Sequence, residues 1–118
     1  MQNSDLKART KEFALKIINL YPSISRRTEL QVIGKQLLRS GTSVGANYRE
    51  ACRARSPQEF AAKLGICLQE LDETAYWLEL LIESKLCQHN SAQSLLDETN
   101  ELIAIFVSSI NTSKKNSR

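Results

Sequence analysis

The chain is poor in the residues that interrupt helices and in those that perform chemistry. Its 118 residues include 4 Gly and 2 Pro, too few for the frequent turns of an all-β domain. Its one histidine, His89, excludes a two-histidine zinc helix and the paired Glu-x-x-His motifs of di-iron bundles. The three cysteines, Cys52, Cys67 and Cys87, form no C-x-x-C pair. Cys52 and Cys67 fall on apolar helical faces, where a thiol acts as a small hydrophobe. Cys87 and His89 sit close in sequence, but two residues of a surface turn make a poor catalytic dyad. No G-x-x-x-x-G-K-[ST] phosphate loop and no G-x-S-x-G elbow is present. No apolar run reaches the roughly 20 residues that cross a bilayer. The opening Met1-Gln2-Asn3-Ser4-Asp5 lacks the apolar core of a signal peptide. These absences predict a cytoplasmic protein that is not an enzyme, holds no metal or cofactor and does not enter a membrane.

What is abundant is helix-forming sequence. The hydrophobic fraction of 42% and charged fraction of 25% are ordinary for a globular domain, and 118 residues suit one core. Asp5 is a plausible cap for a first helix to about residue 20, which Pro22 stops. Thr28, with Gln31 three residues on, suggests a capping box opening a second helix over about 29–54. Glycines 34, 41 and 45 let another backbone approach that helix, and Gly41 is where it would kink or divide in two. Ser56-Pro57-Gln58-Glu59 is the clearest start in the chain, a capping Ser with Pro in the first helical position. It opens a third helix over about 57–85. A short turn leads to a fourth, about 91–113, with Lys114 and Lys115 suited to its C-terminal dipole. Four amphipathic helices on short connectors predict an all-α, antiparallel up-down-up-down four-helix bundle in a single domain, 1–118.

Charge is unevenly spread. Residues 1–55 hold 11 Lys/Arg against 4 Asp/Glu, and residues 56–118 hold 5 against 9. The second helix carries two faces. Leu30, Ile33, Leu37, Gly41, Val44, Tyr48 and Cys52 share one side, a packing seam. Lys35, Arg39, Arg49 and Arg53 share the opposite side within an arc of roughly 80°. With Arg55 nearby, this stripe is either a solvated face, a partner for an acidic face, or a phosphate-binding surface. Tyr48 and Trp77 lie on or beside packing faces, so binding to RNA or DNA would be led by the backbone. On the third helix Ile66, Glu70, Glu73, Trp77 and Leu81 form a second stripe, widened by Leu80. It is either the flank of a helix with two neighbours or a subunit interface. Glu70 and Glu73 are either a solvated edge or partners for Lys63 or Arg39.

The segment Gln36 to Ala51, followed by Ser56-Pro57-Gln58-Glu59-Phe60, Lys63-Leu64 and Glu70 to Leu81, resembles the small bacterial four helix bundle protein family. That family includes proteins encoded in intervening sequences of large-subunit ribosomal RNA genes. More distantly, the chain resembles the accessory variability protein of diversity-generating retroelements, a basic pentameric bundle that binds nucleic acid and a reverse transcriptase. The resemblance implies an up-down bundle assembled as a homopentamer, with Arg39, Arg49 and Arg53 on a basic surface. It implies recurrent polar positions at Asn47, Glu50, Glu70 and Glu73. Two functions follow as expectations: an RNA-binding oligomer, or a scaffold that docks a protein partner without nucleic acid.

Overall fold

The structure is a computed structural model that describes residues 3–85 and 91–116. Cys87, His89 and the turn expected between the last two helices lie outside the described residues. Four helices appear in order: α1, Asn3–Leu20; α2, Thr28–Ala51; α3, Pro57–Glu83; and α4, Ser91–Asn116. A single 3₁₀ turn, Tyr21–Ser23, follows α1 and places Pro22 where its missing N–H costs nothing. Among the described residues there is no strand.

Helix α3 begins as its sequence dictates. The Ser56 Oγ accepts from the Glu59 N–H at 3.0 Å. The Glu59 carboxylate reaches back one residue further than a capping box, taking the Arg55 N–H at 3.0 Å. Helix α2 begins differently from expectation. Thr28 is already inside the helix, and Arg27 holds the cap position without a side-chain bond. Gln31 does not close a capping box. Its amide donates to the Ser25 carbonyl at 2.8 Å, and it accepts from the Tyr21 hydroxyl at 3.3 Å. Helix α2 also runs unbroken through Gly41 to Ala51, three residues short of the expected end.

The α2 glycines pack against α1 and the segment that follows it. A Cβ on Gly34, Gly41 or Gly45 would meet Tyr21 and Ile24, Ile17, or Thr10, in that order. Rising numbers on α2 therefore meet falling numbers on α1. The same holds between α2 and α3, where Val44 meets Cys67 and Ser40 meets Thr74. Between α1 and α4, Arg9 pairs with Glu101 at 3.1 Å and Lys16 with Glu98 at 2.9 Å. Each of these neighbours is antiparallel, which makes the topology up-down-up-down. The core runs along the axis of a 50 × 21 × 20 Å rod. Phe13, Ile17, Leu37, Val44, Leu71, Leu78, Leu102 and Phe106 fill it, with Tyr48 edge-on to Phe106 at 5.7 Å.

Candidate nucleic-acid interface

The cationic stripe expected along α2 is divided by its two neighbours. Arg39 leans toward α3. Its guanidinium donates to both Glu70 oxygens, at 3.0 and 3.4 Å, and pairs with Glu73 through the other terminal nitrogen. Beneath this clamp the buried Ser40 and Thr74 hydroxyls share a hydrogen bond of 2.9 Å. Thr74 also bonds to the Glu70 carbonyl at 2.8 Å. Arg39 thus answers two carboxylates of its own chain and contributes little free charge. Of the two alternatives for Glu70 and Glu73, the structure selects partners for Arg39, while Lys63 pairs instead with Glu50 at 3.3 Å.

Arg49 lies on the other flank of α2, toward α1. There it borders a shallow groove of about 200 Å³ lined by Lys7, Thr10, Lys11, Thr42, Gly45 and Ala46. The Thr10 hydroxyl is satisfied by the Leu6 carbonyl at 2.9 Å, so Thr10 contributes its bulk, set against Gly45. Lys7 and Lys11, one helical turn apart, flank it. Lys7, Lys11, Lys35, Arg49 and Arg53 are all exposed, and none forms an ion pair with a described residue. Arg55 is nearly bare, with a 3.9 Å approach to Glu59 as its ion pair. Such an exposed pair is worth roughly 0–1 kcal/mol, so its charge remains available.

Lys7 and Lys11 were absent from the sequence-derived set. Their signal was indirect, since the α2 glycines announced a close neighbour without saying that it was α1. Three cations around one groove, with Lys35 further along α2 and Arg53 just past its end, can hold polyanion phosphates by charge alone.

The stripe on α3 also divides. Ile66 is 40% exposed and Tyr76 54%, while Glu73, Trp77 and Leu80 are half-buried. Tyr76 and Trp77 touch, with ring centroids 5.2 Å apart. Leu81, at 0% exposure, and Glu70, at 9%, belong to the interior. These two leave the outward-facing set, because α3 turns that edge onto α2.

The described residues offer little reactive chemistry. Burial pushes the Cys67 thiol up to about 12, which keeps it from acting as a thiolate nucleophile near neutrality. Burial also raises the Tyr48 phenol, helped by a hydrogen bond with Cys52. Among the described residues no group of three or more His, Cys, Asp and Glu could hold a metal, and no helix is long and apolar enough to cross a membrane.

Comparison with known proteins places this architecture. No curated protein matches the chain. A crystal structure of a protein of unknown function from the S23 ribosomal protein family of Bacteroides thetaiotaomicron is similar to it. The two are 40% identical and overlay with a TM-score of 0.83, covering 94% of this chain and 99% of that one. Residues 2–108 match the family model described as 23S rRNA-intervening sequence protein. With nearly its whole length matched and the same helical frame, the chain belongs to the 23S rRNA-intervening sequence protein family.

Proposed function

We propose that this protein is a non-enzymatic, homo-oligomeric bundle that binds RNA through phosphates gripped across the α1–α2 face. The observation that carries this reading is the groove ringed by Lys7, Lys11 and Arg49, none of which pairs with a described carboxylate. The family's name, which ties it to 23S rRNA intervening sequences, supports RNA as the polyanion. DNA offers the same phosphates and would compete. The exposed Ile66 and Tyr76, beside Trp77, give copies of the chain a surface on which to associate. A ring of copies, five by the family resemblance, would repeat the cationic face and raise avidity without any new contact.

The test is fluorescence anisotropy of a labelled structured RNA across a salt series. Binding should weaken steeply with salt through counterion release. Charge reversal at Lys7, Lys11 and Arg49 together should flatten the log–log slope by roughly 2–3 units. Absence of binding at low salt would remove the reading. The apolar Ile66–Tyr76–Trp77 surface favours a second one, a scaffold for a protein partner. That association would respond weakly to salt and strongly to Trp77→Ala.

A further inference from the structure

The inward stripe of α4 changes character along its length. Leu95, Leu102 and Phe106 are buried and apolar. The same spacing continues into Ser109 and Ser113, where packing alone would favour Leu or Ile. The reason lies in the helix lengths. The Arg9–Glu101 and Lys16–Glu98 pairs set the register of α1 against α4. In that register α4 continues about 10 Å beyond the level of Asn3. Past Leu6, therefore, α2, α3 and α4 enclose space that no described α1 side chain fills.

The result is an open cleft of about 800 Å³, within the roughly 300–1,000 Å³ of small-molecule sites. Tyr48, Phe60, Leu64 and Ile105 form its apolar walls, and among the described residues no charged one lines it. The Ser108, Ser109 and Thr112 hydroxyls on its lip make no hydrogen bond to a described residue. Exposed cations adjoin the lining along the chain. Arg53 and Arg55 alternate with the lining residues Cys52, Ala54 and Ser56, and Lys115 stands one helical turn beyond the lining Thr112 on α4.

We propose that this cleft receives an unstacked base of single-stranded RNA, with the flanking phosphates held by Arg53, Arg55 and Lys115. The proposal rests on the phosphate-binding reading above and adds where a base would go. A nucleobase has apolar faces and neutral polar edges, joined to a charged backbone. The cleft has apolar walls, a neutral hydroxyl lip and cations outside, in the same order. A charged ligand would find no opposite charge within, and a purely aliphatic one would bury the lip hydroxyls unpartnered. Phe60, half-buried in the wall, provides a ring for stacking.

The test compares a labelled single-stranded oligouridylate with an abasic ribose-phosphate oligomer of equal length and charge. The full-length protein should bind the uridylate about tenfold more tightly. Ser109→Trp fills the cleft from α4, and Thr112→Phe does so from its exposed edge. Each should bring uridylate affinity down to the abasic level and leave abasic binding unchanged. A measurement on the unaltered protein stands beside these variants. Uridylate should protect Cys52, which lines the cleft, from iodoacetamide, while the abasic oligomer should not. Equal binding of the two oligomers, or a tenfold difference that survives in the folded variants, would overturn the cleft proposal while phosphate binding stood. Failure of both oligomers to bind would sink the two readings together.

Discussion

Replacing Arg39 by alanine isolates what the clamp between α2 and α3 contributes. The Glu70 side chain is 12% exposed, the Arg39 side chain 49% and the Glu73 side chain 45%. Removing one partner of a fully buried ion pair costs about 3–5 kcal/mol, because the other charge is stranded. Water reaches half of this guanidinium and would reach part of Glu70 once it is gone. The cost should therefore fall to about 2 kcal/mol, roughly 6–10 °C in Tm for a domain of this size. Glu73→Ala breaks only an exposed contact and should cost less than about 0.5 kcal/mol. In the Arg39→Ala background, Glu70→Gln removes the stranded charge and should restore part of the loss. The assay is urea unfolding followed by helical circular dichroism, with an unchanged m-value as the sign that only stability has moved. The RNA salt slope should not change, because the charge of Arg39 is already engaged. Equal losses for Glu70→Ala and Glu73→Ala would refute the role assigned to burial. A salt slope shallower by about 0.7–0.9 units in Arg39→Ala would show that Arg39 meets a phosphate after all.

Two further outcomes follow from the same geometry. Gly41→Ala would place a Cβ 2.8 Å from Cγ1 of the fully buried Ile17. It should destabilise by about 1–2 kcal/mol despite the better helix propensity of alanine. Gly65→Ala, with nothing within 4 Å, should stabilise by about 0.5–1 kcal/mol; thermal melts that shift in the same direction for both would contradict the close approach of α1. The second outcome concerns alkaline pH. The folded Cys67 thiol titrates near 12 instead of its ordinary 9.0, so above pH 9 the unfolded chain ionises first and binds fewer protons than the native one. The stability that burial provides is fully present below pH 9 and is lost as pH rises toward 12. Cys67→Val should reduce this alkaline loss, measured as urea midpoints at pH 8 and pH 10.5, and an identical pH dependence in both proteins would exclude Cys67 as a cause.

Local signals were legible in the sequence, and relations between helices were not. Ser56-Pro57-Gln58-Glu59 starts α3 because the cap, the proline and the carboxylate act within one turn. Thr28 and Gln31 misled because Gln31 has stronger business with Tyr21 and Ser25, across the connector. The helical wheel put Arg39 and Arg49 on one outer face. It did not show that 80° of arc is enough for one to fall to α3 and the other to α1. Lys7 and Lys11 join the site only because Gly45 lets α1 close against α2. The cleft was invisible for a similar reason, since it depends on the register of α1 against α4. The wheel also placed Leu81 on the stripe, although residues at that angle turn inward against α2.

The row of missing methyl groups on α2 also acts as a ruler. Gly34, Gly41 and Gly45 each receive a different side chain of α1 or of the turn that follows it. Sliding α1 by one helical turn would bring Ile17 down on Leu37 or Val44 instead of Gly41, so one longitudinal setting is favoured sterically. That setting also fixes the distance from Lys7 and Lys11 to Arg49. The spacing of the charges is inherited from a pattern of vacancies in the packing, and an uncharged substitution at Gly41 would detune an electrostatic surface it never touches.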